Sequence, residues 1–373
     1  MFSLIKLPPV FNVNQVPKAF QEESIISGYR HPRSSATDCI LSLFQLTNET
    51  LNVWTHFLPT WYFLYKLLTV VFIHDVWTDA YTWPLLVYLL SCCVYPLASS
   101  CAHTFSTMST RARHICYFFD YGALSLYSLG SAIAYSAYVV PDAWVNSVFH
   151  AYYVPVAVMN TVISTTMACY SRLDATIRLK LNASLTPLPS AKAWLLSHSN
   201  PDNANRFAES NRPRLGKVLR VLAFSYPYMF DNIPLFYRIF LCVGEGCTAN
   251  EVNRLHVYHI LLAFLTGFLF ATHLPERLAP GHFDLIGHSH QLFHVCGISA
   301  THFQMQAIEM DMALRRSWLH HHAPAMTFRG TLGASMLSSV ISLGIICFFS
   351  YPLFCNTAQG KANGKGSTAS KKN

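Results

Sequence analysis

The stretch WPLLVYLLSCCVYPLASSCAHTF, Trp83–Phe105, contains no Asp, Glu, Lys or Arg, and its one ionisable group besides cysteine and tyrosine, His103, comes near the end. About 20 consecutive apolar residues in an α-helix cross the hydrocarbon core of a bilayer, where backbone polar groups must be satisfied within the segment. This segment therefore reads as a membrane span that carries a histidine. Ionisable side chains are costly at that depth and mark functional sites by default.

The rest of the chain agrees with that class. Of 373 residues, 52% are hydrophobic and 12% charged, against about 25% charged in ordinary soluble domains. Mean hydropathy is +0.28. An aromatic share of 14% suits interfacial belts. The net charge of +8 is spread over loops and tail, which fits anionic lipid contact and not nucleic acid. The opening MFSLIKLPPVFNVNQVP does not read as a secretory signal. Besides Trp83–Phe105, spans are expected near Val53–Ile73, Ile115–Val140, Val145–Cys169, Val218–Val243, His256–Leu274, Leu285–Ile308 and Leu332–Leu353. The fold class is thus all-α, a polytopic helical membrane protein with seven helices and an eighth C-terminal span. Residues 1–52 precede a core at 53–310, which is interrupted by a polar loop at 171–216. A loop at 311–331, the eighth span at 332–353 and a basic tail at 354–373 complete the chain.

Lys and Arg in short flanking segments set orientation. Lys6, Lys18, Arg30 and Arg33 precede the first span, Arg111 and Arg113 follow the second, and a basic segment follows the fourth. The loops after spans one, three and five hold Asp75, Asp79, Asp142, Glu245 and Glu251. A cytoplasmic N-terminus follows, with the loop at 311–331 extracellular; Arg315, Arg316 and Arg329 in that region run against it. Sequons at Asn48 and Asn182 then face the cytoplasm and stay unglycosylated. Cys242 and Cys247 flank a short acidic loop and can form a disulfide if that loop is extracellular.

With this topology His103 lies at the inner end of its span, and Asp120 lies about 7–8 Å into the next. His290 and His294 are four apart, on one helix face, about 7–14 Å deep from the same side. Two imidazoles at that spacing can share one metal ion, and a third His with a carboxylate completes a zinc-like set. Ser99 lies one turn from His103. The plainer account of a single membrane His is a helix-linking hydrogen bond, and Asp120 could instead pair with Arg111 or Arg113. A common depth for all four favours the metal. His320–His322 fall in a polar loop and read as a solvated run. Asp231, Arg238, Glu309 and Asp311 lie near helix ends, where pairing or snorkelling accounts for them.

Five segments in order, GYRHP (Gly28–Pro32), FQLTNETLNVWTH (Phe44–His56), SSCAHTF (Ser99–Phe105), FFDYGALSLYSLGSA (Phe119–Ala132) and LPERLAPGHFDLIGHSHQLFHV (Leu274–Val295), resemble the progestin and adipoQ receptor family, which includes the adiponectin receptors. The NET tripeptide and the eighth span are similar to its membrane progestin receptor branch. The long segment 171–216 departs from the family pattern. The resemblance implies an adiponectin-receptor-like bundle with zinc held by His103, His290 and His294, Asp120 acting through a water and Ser99 supporting it. It also implies a plasma-membrane steroid receptor that binds progesterone and signals through inhibitory G proteins, with Gln291 a polar anchor for a keto group. The residues themselves point to a second function. Three His, Asp120 and Ser99 form the equipment of a zinc-dependent lipid amide hydrolase acting on a sphingolipid such as ceramide. A purely structural zinc is a third alternative.

Overall fold

The computed structural model describes residues 7–173, 178, 181 and 213–366. Most of the polar connection at 171–216 and the end of the basic tail lie outside these residues. Eight long helices follow in chain order: α2 (Thr50–Ile73), α3 (Trp83–Phe105), α4 (Thr110–Ala134), α5 (Val148–Arg172), α6 (Pro213–Asp231), α8 (Asn253–Thr272), α9 (Ser289–His322) and α10 (Ala334–Gly366). Two short ones join them, α1 (Ala36–Leu41) and α7 (Ile233–Phe236). α2 packs on α3, α3 on α4, α4 on α5 and α5 on α6, while α8 packs on α9 and α9 returns to α2. The first seven long helices thus form a ring, and α10 lies outside it against α4 and α5.

The outward faces explain why these helices need lipid. α2 exposes Leu58, Trp61, Tyr65 and Phe72, α8 exposes Leu261, Phe264 and Phe268, and α10 exposes Leu337, Val340 and Phe348. Apolar patches of this extent are not left facing water. Inside the ring, Phe63, Tyr88, Leu89, Leu129, Ile133, Tyr138, Tyr153 and Met305 form one core. By length and hydropathy alone, Thr50–Ile73, Ala80–Phe105, Asn253–Thr272 and Arg329–Phe354 qualify as spans.

Two expected spans differ in shape. α9 does not start at Leu285: Gly287 has φ +88° and His288 is extended, so the first helical residue is Ser289. Its amide donates to Glu276 Oε2 at 2.6 Å, which satisfies a helix N-terminus that would otherwise be buried with a free donor. At its other end α9 continues to His322. Residues 311–322, expected as loop, are therefore helical, and His320–His322 form its last turn. At about 1.5 Å per residue, α9 outruns a hydrocarbon core of about 30 Å. The fifth span is broken rather than continuous. α6 ends at Asp231, α7 carries Pro234 near its start, and a π-turn at Tyr237–Leu241 follows. Cys242 and Cys247 are disulfide-bonded just beyond.

Two of the three arginines that ran against the orientation have partners at their own end of the bundle. Arg315 Nη2 donates to Asp142 Oδ1 at 2.7 Å, and Arg316 Nη2 to Asp79 Oδ2 at 2.7 Å. At the opposite end the N-terminal segment folds over the ring mouth. Val10–Phe11 pairs antiparallel with Tyr29–Arg30, and Asp284 Oδ2 accepts from Ser27 N at 2.7 Å and Ser27 Oγ at 2.8 Å. Burial pushes the Tyr29 phenol up to about 12. Gly28 has φ +86°, and a Cβ there would meet Leu285 Cδ2 at 2.5 Å and Asn48 N at 3.0 Å, so only glycine permits this approach.

Candidate metal centre and cavity

Two helices, α3 and α9, bring His103, His290 and His294 together. One ring nitrogen from each lies within 4.8 Å of the others, making them a group able to hold a metal ion. His103 Nε2 and His290 Nε2 are 3.1 Å apart. Two nitrogen ligands on one tetrahedral zinc, at about 2.0–2.1 Å each, stand about 3.3 Å from one another. His103 and His294 are buried, at 2% and 1% exposure.

The opposite edges of these rings decide which nitrogens are free. His103 Nδ1 lies 2.7 Å from Glu49 Oε2, and His294 Nδ1 lies 3.0 Å from the Asn52 carbonyl oxygen. An acceptor at Nδ1 holds the proton there and leaves the Nε2 lone pair for a metal, the arrangement that orients metal-binding histidines. Asn52 Nδ2 donates to the same Glu49 oxygen at 2.8 Å. His56 stacks on His294 with ring centroids 3.7 Å apart. The Arg30 guanidinium donates to the carbonyls of Thr104, at 2.7 Å, and His103, which ties the GYRHP segment to the end of α3. These donors, with His103 and His294 buried and fixed as tautomers, fit a metal ion such as zinc.

Glu49, Asn52 and His56 were not singled out from sequence as site residues. Their signal was available: positions i, i+3 and i+7 at the start of α2 share one helix face, and all three are buried. Pairing of Asp120 with Arg113 does not occur, since Arg113 binds Glu22. Asp120 and Ser99 instead line a cavity of about 460 Å³ that also reaches His56, His290 and His294. Phe224, Phe264, Phe268 and Phe293 supply apolar wall. Gln291 is differently employed. Its Oε1 accepts from Gly287 N at 2.6 Å and its Nε2 donates to the Leu285 carbonyl at 3.0 Å. It fastens the turn before α9 and is not among the residues that line the cavity. Asp231, expected near a helix end, is on the cavity wall.

Residues 44–305 match the family described as haemolysin-III related. The chain is 71% identical to membrane progestin receptor gamma-B of Danio rerio over 95% of this chain and 96% of that one. It is 51% identical to human membrane progestin receptor gamma over 94% of this chain and 96% of the relative. Human membrane progestin receptor delta is 50% identical over 94% and 92% respectively.

Proposed function

This chain belongs to the haemolysin-III related family of multi-pass helical membrane proteins, and from that premise we propose that it is a plasma-membrane steroid receptor. Its ligand is progesterone or a related steroid, its N-terminus is cytoplasmic, and it signals through inhibitory G proteins. The names of its relatives support the ligand class. The single observation that carries the ligand site is the apolar, aromatic-walled cavity inside the ring, about 460 Å³ in size and ending at the histidines. Ligand sites are typically concave, mostly apolar, and about 300–1,000 Å³ in volume.

Zinc is the metal that His103, His290 and His294 suit, with Glu49 and the Asn52 carbonyl holding two of the rings. When bound there, it supplies a Lewis acid able to polarise a carbonyl or water at the cavity's end. The remaining chemistry belongs to the chain. His56 packs one imidazole in place, the aromatic wall excludes water, and Asp120 beside Ser99 can accept a proton at its carboxylate. That last pair favours a second function, a lipid amide hydrolase of the ceramidase type, in which Asp120 is the base and Ser99 supports the developing oxyanion.

One variant panel separates these. Purified, folded protein carrying His290→Ala with His294→Ala, or Asp120→Asn, is assayed for zinc content, progesterone binding and ceramide hydrolysis. The double variant is expected to lose the metal; unchanged zinc would remove the metal centre from the proposal. Asp120→Asn is expected to keep steroid binding. Should wild-type protein turn over ceramide and Asp120→Asn abolish that, the hydrolase takes precedence. Absence of saturable progesterone binding in wild type would end the receptor assignment.

A further inference from the structure

The cavity carries a second group of polar side chains, contributed by α4, α6, α8 and the Asn232 junction that follows α6. Tyr228, Asp231 and Asn232 are spaced i, i+3 and i+4, and His259 of α8 stands beside Tyr228 with ring centroids 6.3 Å apart. Each of these residues lines the cavity. Asp231, Asn232 and His259 are 3%, 2% and 3% exposed. Four of their atoms are buried without any hydrogen-bond partner: Tyr228 Oη, Asp231 Oδ1, Asn232 Oδ1 and His259 Nε2. A buried polar atom left unpaired is costly, so four around one cavity call for a ligand and not for packing.

For Asn232 and His259 the hydrogen-bonding sense is determined by the bonds their other atoms make. Asn232 Nδ2 donates to the Tyr228 carbonyl at 2.8 Å, which leaves Oδ1 as an acceptor. His259 Nδ1 lies 3.1 Å from the Ala300 carbonyl; a carbonyl can only accept, so Nδ1 carries the proton and Nε2 is an acceptor. Asp231 Oδ2 already accepts from the Ser128 hydroxyl, and Oδ1 remains free. Asn232 Oδ1 and His259 Nε2 are thus open acceptors, with the unpaired Tyr228 Oη and Asp231 Oδ1 on the same cavity wall. A ketone, which only accepts, can pair with neither of the two acceptors. A hydroxyl or amine can donate to both.

We propose that Asp231, Asn232, Tyr228 and His259 form a second polar subsite of this cavity, selecting ligands whose apolar body ends in a hydrogen-bond-donating hydroxyl or amine. This rests on the cavity being a ligand site, as proposed above, but neither on a metal nor on the ligand being a steroid. Ketosteroids then bind through the apolar wall, and a terminal hydroxyl adds selectivity.

The test uses two probe pairs against full-length protein in detergent: progesterone with a 3-hydroxypregnane counterpart, and sphinganine with its 1-deoxy analogue. Wild type is expected to prefer the hydroxyl-bearing member of at least one pair by about tenfold, the size of one hydrogen bond. Asp231→Asn, which is isosteric and replaces one acceptor oxygen with a donor, is expected to reduce that preference to within about threefold. Metal content at the three histidines and the melting temperature should stay unchanged. His259→Phe, which keeps the ring and removes the acceptor, should weaken the preference in the same direction. Preference confined to the sphinganine pair would support this subsite, with a lipid amine or alcohol as its ligand, while absence of saturable progesterone binding is the separate result that removes the steroid. No preference in either pair, or a preference that survives both variants, overturns it.

Discussion

Two buried clusters, one toward each end of the bundle, contain the same kinds of side chain and finish in opposite conditions. Toward the end formed by the disulfide-bearing loop, Arg238 donates to Asp311 at 2.7 and 3.0 Å, His256 Nε2 lies 2.9 Å from Asp311 Oδ2, and Asn250 Oδ1 accepts from Arg238 at 2.9 Å. Both partners of the ion pair have fully buried side chains. The carboxylate there is saturated by a bidentate guanidinium, and the imidazole nitrogen points at it. Toward the other end, the one carboxylate in hydrogen-bond contact with the histidines, Glu49, sits behind His103, while nitrogens of three rings converge on each other. The first cluster is electrically closed and ties helices together. The second turns imidazole lone pairs toward one another, while Arg30 nearby is spent on the Thr104 and His103 carbonyls, and that is the condition of a ligand set. Residue type does not separate them. What separates them is which edge of the imidazole meets the carboxylate.

That contrast can be broken most severely at the closed cluster. Arg238→Met leaves Asp311 as a buried charge without its main partner, and a loss of about 3–5 kcal/mol is expected. It would be read as a large fall in folded, surface-expressed protein and in melting temperature. Adding Asp311→Leu should recover most of that loss, and failure to recover would mean that the pair does more than balance charge. At the open cluster, Glu49→Gln should leave the fold intact and weaken metal retention by about 10–100-fold, measured by chelator competition. If both stability and metal retention drop together, the two clusters are alike after all. The smallest effect is expected for the half-exposed pair Arg316–Asp79. Arg316→Gln should change the melting temperature by no more than about 1 kcal/mol would, with metal content unaltered.

Much of this fold was legible because lipid imposes a simple rule on sequence. Apolar stretches of bilayer length located the eight long helices, including the polar seventh, whose Glu309 and Asp311 find partners in Lys66 and Arg238. The helix ends were not legible. The start of α9 depends on Glu276, thirteen residues away, capping Ser289. Along its extension to His322, Arg315 and Arg316 meet Asp142 and Asp79, partners far away in the chain. In the site, the three histidines were found by spacing and depth. Glu49 was hidden because a carboxylate next to the first span looks like any interfacial charge until its partner is known. Gln291 looked available for a ligand because sequence does not disclose that both ends of its amide are already bound.

The sequence by itself determined the solvent of this protein, the order of its long helices among the described residues, and the spacing that puts His290 and His294 on one helix face. Those properties follow from hydropathy and helical rise, which are local. Only the tertiary structure decided which polar groups were spent and which were left open. Arg113 turned to Glu22, Gln291 to its own turn, and Arg238 to Asp311, while Asp231, Asn232 and His259 kept unpaired acceptors on the cavity wall. Hydrogen bonding saturates over a few ångströms between residues far apart in the chain, so no periodicity can report it. For Trp83–Phe105, composition was enough to make it a span, but folding alone put its His103 against Glu49 on one side and His290 on the other.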